Sequence, residues 1–272
     1  MRELTIGKND AGARLDRFLG KALPLLPPAL AQKYIRIKRV KVNGGRAQRD
    51  QRLQEGDVLQ LYINDEFFDK PSEENMFLTL FKPRLTVVYE DEHLLLADKP
   101  QGMVVHADET EKVNTLINHI QAYLYQKREW NPKWENAFAP ALCNRIDRNT
   151  GGIVIAAKTA EALRVMNQKI RLRELDKRYL CVTVGRPKRD SGRAECFLLK
   201  DEQKKQVTVY HKPVPGGKTA VTDYRVLETR GELSLVEIGL ETGRTHQIRA
   251  TMADLGCPLL GDGKYGRGDV NR

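Results

Sequence analysis

Ala141-Leu-Cys-Asn-Arg145-Ile-Asp147-Arg148-Asn-Thr150-Gly151-Gly152-Ile-Val-Ile-Ala-Ala-Lys158 is the stretch on which the reading of this chain turns. Its first half sets a carboxylate between two arginines. Its second half runs through paired glycines into an apolar segment, which predicts a turn followed by a buried strand. Arginine offers a planar fork of donors that suits phosphate, and Asp147 is the nearby group able to attack or to accept a proton. Phosphate binding alone has no need of the carboxylate, so the segment reads as a prepared acid aimed at an anionic substrate. Neither a P-loop nor a GxGxxG frame is present, and the glycines are read as tight backbone turns beside the site.

A second informative segment is Glu241-Thr-Gly243-Arg244-Thr-His246-Gln-Ile-Arg249, followed by Gly256-Cys-Pro258-Leu-Leu-Gly261-Asp262-Gly-Lys-Tyr265-Gly266. Leu233 to Ile238 alternates as a strand leading into Thr242-Gly243, and a helix is expected from Thr245. Ile248, Met252 and Leu255 give that helix an apolar stripe, and Gly256 with Pro258 ends it. Arg249 lies on the flank of the stripe, where it is partly buried and needs a partner. An ionised carboxylate such as Asp147 suits it, provided the fold brings the segments together.

The segment around Asp147 resembles the catalytic-aspartate motif of the RluA-type pseudouridine synthases, and the segment from Glu241 to Gly266 resembles the same family. Val88-Tyr-Glu-Asp-Glu-His93-Leu-Leu-Leu-Ala-Asp-Lys99-Pro100-Gln-Gly102-Met-Val-Val-His106 is similar to the strand and Lys-Pro turn that open its catalytic domain. Lys177-Arg-Tyr179-Leu-Cys-Val-Thr-Val-Gly185 is similar to its tyrosine motif, so four motifs follow in the family's order. The resemblance implies isomerisation of a uridine in RNA without a cofactor. Asp147 is then the catalytic carboxylate, Tyr179 assists removal of the C5 proton, and Arg249 keeps Asp147 ionised and oriented. Arg145, Arg148, Thr150, Arg244 and His246 are the expected substrate contacts, His246 in a structural or orienting part rather than as a base. Each has a plainer reading alone: Asp147 as a turn residue, Tyr179 as a strand aromatic, Arg249 as a surface arginine. The chain departs from the pattern at Asn144 and Thr251, where histidines are expected, and at Gly151 in place of serine. It also stops at Asn271-Arg272, sooner than family members do, so a truncated catalytic sheet with an open edge and lower stability is expected.

The amino-terminal part supports an RNA partner. Leu15, Phe18, Leu19, Ala22 and Leu23 recur at helical spacing, a second helix follows the prolines from Ala29 to Arg36, and Val40 to Gly44 reads as a strand entering a turn. This helix-helix-hairpin unit resembles an S4-type RNA-binding module through Arg14-Leu-Asp16-Arg17-Phe-Leu, Arg39-Val-Lys41-Val-Asn43-Gly44 and Leu53-Gln-Glu-Gly56-Asp57. Lys33, Arg36, Lys38, Arg39 and Lys41 crowd its second helix and first strand, where they can follow a phosphate backbone or form a solvated basic face. The 272 residues carry 46 Lys and Arg against 36 Asp and Glu, a net charge of +10 that favours a polyanionic partner.

The expected architecture is α+β. Residues 1–64 form the S4-like domain, 65–85 a linker packed on one domain through Phe67, Phe68, Met76 and Phe77, and 86–272 the catalytic domain. That domain is expected to hold a mixed, mainly antiparallel sheet flanked by helices, one of them running from Leu116 behind an Asn114 cap. Four cysteines at 143, 181, 196 and 257 show no CxxC pair, and His93, His106, His119 and His211 show no ligand spacing, so neither metal nor disulfide framework is expected. No apolar run reaches the length of a membrane span. A monomeric cytoplasmic protein is expected, acting on ribosomal RNA in preference to transfer RNA. A non-catalytic S4-type ribosomal-RNA-binding protein is the alternative, and N-glycoside hydrolysis a third reading that generally wants a second carboxylate.

Overall fold

The computed structural model describes residues 1–68, 72–201 and 203–266, the side chains of 72–75 excepted; the expectation attached to Asn271-Arg272 lies outside them. In the amino-terminal module, β1 (Arg2–Thr5) is followed by α1 (Leu15–Ala22), α2 (Pro28–Arg36), β2 (Val40–Val42), β3 (Gly45–Arg46) and β4 (Val58–Leu61). The helical spacing is realised directly, since Leu15, Phe18, Leu19 and Ala22 are the buried face of α1. Pro28 opens α2, where its missing N–H costs no hydrogen bond. Asn43 and Gly44 both take positive φ, 51° and 75°, the geometry of a two-residue hairpin turn that pairs Lys41 with Arg46. The strands form an antiparallel sheet in the order β1-β4-β2-β3, under a core that includes Leu15, Phe18, Leu59 and Leu61.

Two 3-10 turns, Asp65–Phe68 and Ser72–Thr79, connect this module to the next. The linker packs on two cores rather than one: Phe67 and Phe68 lie against the first, whereas Phe77 is buried in the second. Aromatic residues near both ends of a short segment allow it to seal both neighbours. The second core lies under β5 (Thr86–Glu90), β6 (Leu94–Lys99), α3 (Leu116–Gln126), β7 (Ala141–Leu142), β8 (Gly152–Ala157) and α4 (Ala160–Arg171). Its sheet runs β5-β6-β8-β7, with Leu95, Ala97, Val154 and Ala156 fully buried. Thr115, not Asn114, caps α3, because the Asn114 N–H is taken by the Glu111 carboxylate while Thr115 Oγ1 accepts the Asn118 N–H. Asn136 donates to the Thr5 carbonyl at 2.7 Å and Asn9 to Glu135 at 2.7 Å, fastening module and sheet into one compact unit, Met1–Gln168.

The other unit, Lys169–Arg272, is a five-stranded antiparallel sheet in the order β11-β10-β12-β13-β9, with α5 (Gln247–Asp254). Its strands are β9 (Arg178–Val184), β10 (Ser191–Asp201), β11 (Gln206–Tyr210), β12 (Lys218–Arg230) and β13 (Leu233–Leu240). Helix α5 starts at Gln247 rather than Thr245, since His246 sits in the left-handed region at φ 52°. The α+β class stands, with the carboxyl-terminal strands gathered into two sheets instead of one. Among the described residues every strand pair is antiparallel, and the parallel contact between Val104 and Thr115 is an isolated bridge. Short connections between successive strands favour that outcome, because parallel pairing needs a long crossover.

The cysteines are buried or half-buried free thiols. Burial pushes the Cys143 and Cys257 thiols up to about 11, and burial with the neighbouring Cys257 pushes Cys181 up to about 12. They stay protonated at neutral pH and are poor nucleophiles.

Candidate active site

Asp147 stands on the irregular segment between β7 and β8. Cys143 N–H donates to the Ile155 carbonyl at 2.7 Å, and the Asn144 side chain accepts the Ile155 N–H at 2.8 Å, so Asn144 prolongs the strand pairing with its own amide. The chain then leaves the sheet through Arg145 and Ile146 and turns at Asp147, where Thr150 N–H returns to the Asp147 carbonyl at 3.0 Å. Gly152 takes φ 124°, which an L side chain rarely adopts. A Cβ on Gly151 would stand 3.4 Å from the Lys99 carbonyl, an ordinary contact, so of the two glycines it is Gly152 whose backbone demands the residue.

Lys99 anchors the Asp147 turn from below. Its side chain is fully buried, and its ammonium donates to the carbonyls of Pro100 at 2.9 Å, Met103 at 2.8 Å and Arg148 at 3.0 Å. Gly102 N–H adds a fourth tie, to the same Arg148 carbonyl, at 2.9 Å. Burial lowers the Lys99 pKa, while the negative charge of Asp147 works the other way. The Lys-Pro turn and the aspartate turn are thus one assembly. On its outer side Arg148 donates to the Asp108 carboxylate at 3.0 Å and to the Thr110 hydroxyl at 2.6 Å. Desolvation, and after it the Arg145 charge, lower the pKa of His106.

In the other unit Tyr179 lies on β9 opposite Ile238 and packs, half-buried, on the core of Val236, Ile238 and Met252. Arg249 projects from α5 and clasps Asp262 through two bonds, Nε to Oδ2 at 2.7 Å and an NH2 nitrogen to Oδ1 at 2.8 Å. Asp262 also accepts the N–H groups of Lys264 and Tyr265, and although burial opposes it, these donors and Arg249 hold its carboxyl below the usual range. The Tyr265 ring lies 5.1 Å from the guanidinium, and its hydroxyl accepts the Val207 N–H and stands 2.8 Å from His246 Nδ1. His246 is built into the turn before α5 by this contact and by its left-handed backbone.

The sequence reading overlooked Asp262 as a partner of Arg249, and it overlooked Gln247. The buried Gln247 amide accepts from the Thr242 hydroxyl and the Arg244 N–H and donates to the Val221 carbonyl and Thr222 hydroxyl, which shapes the turn carrying Gly243 and Arg244. Arg244 donates to the Thr219 carbonyl at 3.0 Å. Burial, and after it the charges of Arg173 and Arg244, depress the pKa of Lys177.

In the amino-terminal module, Lys33 and Arg36 line a cleft of about 650 Å³ together with Arg46 and Arg49. Lys38, Arg39 and Lys41 are outside its wall: Arg39 lies over Tyr34 and Lys41 over Tyr62, at 5.4 and 5.5 Å from the ring centres. Arg46 and Arg49 were hidden because the hairpin turn is what carries them back to α2. Among the described residues no helix is long and apolar enough to cross a membrane.

Residues 93–254 match the family described as RNA pseudouridylate synthase, and residues 13–59 match the S4 domain. The chain is 32% identical to an uncharacterised RNA pseudouridine synthase of Mycoplasma genitalium, over 96% of this chain and 80% of that protein. It is 31% identical to ribosomal large subunit pseudouridine synthase D of Nitrosomonas europaea, over 97% of this chain and 72% of that one. Against ribosomal large subunit pseudouridine synthase C of Rickettsia prowazekii the figures are 30%, 94% and 83%. The solved structure of human RNA pseudouridylate synthase domain containing 4 shares the fold, with a TM-score of 0.57 at 24% identity over 72% of this chain and 74% of that one. The aspartate turn, the tyrosine strand and the arginine helix accordingly belong to an RNA uridine isomerase: this chain is a member of the RluA family of RNA pseudouridine synthases, with an S4 domain at its amino-terminal side.

Proposed function

We propose that this synthase isomerises selected uridines of 23S ribosomal RNA, with Asp147 as the catalytic carboxylate. What carries the choice of RNA is its similarity, over nearly its whole length, to two synthases named for the large ribosomal subunit. In the reaction the bond from N1 of uracil to the ribose carbon breaks, the base turns in the pocket, and C5 bonds to that carbon. The C5 proton leaves and N1 gains one, so no redox change or cofactor is needed. Asp147 acts at the ribose carbon or the ring, Tyr179 assists loss of the C5 proton, and Arg249 keeps the carboxylate ionised. Arg145, Arg148, Thr150, Arg244 and His246 hold the extruded nucleotide, and residues 1–64 grip flanking phosphates to offset the unstacking, which costs a few kcal/mol. The rigidity of the turn under Asp147, tied to Lys99, supports the assignment, since a catalytic group must be held in place.

The test is to incubate unmodified 23S ribosomal RNA, and unmodified transfer RNA in parallel, with the wild type and with Asp147→Ala, then map pseudouridine by carbodiimide-dependent reverse-transcription stops. Discrete stops from the wild type alone, with RNA binding retained by the variant, are expected. Stops in transfer RNA alone would overturn the choice of substrate. RNA binding without stops from either protein would favour a scaffold, and release of free uracil would favour hydrolysis.

A further inference from the structure

Within the first unit the amino-terminal module meets the chain around Asn136 and α4 along a seam. Among the described residues, the module's hydrogen bonds across it all come from one short segment, Thr5 to Ala11. That segment is closed on itself, since the Asp10 and Ala11 N–H groups both donate to the Gly7 carbonyl, at 3.0 and 3.1 Å. Two asparagines, one from each side, interlock over the seam. Asn9 donates to the Glu135 carboxylate at 2.7 Å, and its amide oxygen accepts the Ala160 N–H, the first of α4, at 3.1 Å. Asn136 donates to the Thr5 carbonyl at 2.7 Å and to the Asp10 carboxylate at 3.2 Å. Arg164 on α4 adds a bond to the Ala11 carbonyl at 3.3 Å.

The seam is polar. Among the described residues, Ala137 is the one apolar side chain from across it that packs on the module's core, the other outside contributors being Phe67 and Phe68 of the linker. Burial raises the pKa of Glu135, the Asn9 bond lowers it, and the charge of Asp10 raises it again. Closing the seam therefore brings two acids out of water towards each other. Little apolar burial favours closure and two carboxylates oppose it, which leaves the directional amide bonds to select the orientation. Junctions between modules of this kind move unless something holds them. The basic cleft of the module is lined by α2 and by residues 46–49 and shares no residue with the seam, so docking leaves it open to RNA.

We propose that Asn9 and Asn136 are positioning residues of the synthase: they lock the module in one orientation, so that phosphates gripped in its cleft deliver a uridine of the same RNA to the Asp147 turn. The proposal rests on the assignment of Asp147 as the catalytic carboxylate and of the module as the grip on RNA. A group held in place reacts as if at high concentration, whereas a module swinging on residues 65–85 lowers that concentration without loosening its own hold on phosphate. Loss of the clasp therefore acts on the rate at saturating RNA and not on affinity. Loss of a cleft cation does the reverse.

The experiment compares the full chain with Asn9→Asp, which sets a third carboxylate beside Asp10 and Glu135, and with Asn136→Asp, which takes the donor from Thr5 and Asp10. A double variant, Asn9→Asp/Glu135→Gln, exchanges donor and acceptor and keeps an acceptor for the Ala160 N–H. Nitrogen-15 relaxation reads docking. Residues 1–64 are expected to tumble with residues 86–168 in the wild type and in the double variant, and faster than them in each single variant. The rate at saturating RNA reads positioning: it is expected to fall about tenfold in the single variants and to recover in the double variant, while affinity changes by less than about threefold. Independent tumbling in the wild type, joint tumbling in both single variants, a double variant that stays detached, or a detached module with an unchanged rate would each overturn the proposal. The relaxation needs neither RNA nor turnover, so docking is judged separately from the choice of substrate, and the rate is measured on whichever RNA yields stops.

Discussion

The Lys99 ammonium gives its three bonds to backbone carbonyls, one of them 49 residues away in sequence. Removing it leaves those carbonyls facing one another in a dry site, and the two turns lose the charge that joins them. Lys99→Met is expected to cost about 3–5 kcal/mol, read as a fall in melting temperature, and to reduce pseudouridine formation more than RNA affinity. Equal stability of variant and wild type would show that the turns hold each other without the pin. This is where sequence reading stops at the scale of a residue. Asp147 between two arginines was legible because its chemistry is local. The Lys-Pro pair could be noticed, but convergence of distant carbonyls on one ammonium leaves no trace in spacing. Asp262 stands in plain view within its motif and still passes unnoticed as a partner, because its bidentate hold on Arg249 depends on how the chain after α5 folds back.

Among the elements, helices and strands with one buried face were readable in advance, since the 3.6-residue and two-residue periods are imposed by packing. Their ends were not, for a physical reason in each case. Asn114 and Thr115 are both good caps, and the choice fell to Glu111, which takes the Asn114 amide. Thr245 failed to start α5 because His246 is diverted to a positive φ. Interactions that join elements were equally invisible, as the cluster at Glu90 illustrates. Glu90 on β5 accepts from Tyr123 on α3, from Lys127 just after it and from Lys158 after β8. Burial raises the pKa of this carboxyl, but the hydrogen bonds from Lys158, Lys127 and Tyr123 outweigh it and hold the group at about 2, against 4.5 unperturbed. A depressed folded-state pKa contributes stability that is present above 4.5 and is lost as pH falls through 2. Glu90→Gln is therefore expected to be less stable at pH 7 by at most about 3 kcal/mol, a difference that shrinks between pH 4.5 and 2. Denaturant melts of both proteins across that range decide it; a difference independent of pH would assign the effect to packing.

At the scale of the whole molecule, the net charge of +10 announced a polyanionic partner, but composition could not say where the charge acts. The hairpin turn at Asn43-Gly44 answers part of that question by pairing Lys41 with Arg46, and Arg46 then joins Lys33, Arg36 and Arg49 around one cleft. Cations that meet a phosphate backbone release condensed counterions, and removing one such cation lowers the slope of log affinity against log salt by about one. Arg46→Ala is thus expected to weaken binding of 23S ribosomal RNA, to flatten that slope by about one, and to leave the rate at saturating RNA near the wild-type value. The same substitution at Lys38, which lies outside the cleft wall, is expected to change the slope by less. Filter binding from about 50 to 200 mM salt, a range over which affinities of this kind fall steeply, measures both. Equal slopes for Arg46→Ala and wild type would move the phosphate path off this cleft, to the basic turn that carries Lys38 and Arg39 or to the arginines of the aspartate turn.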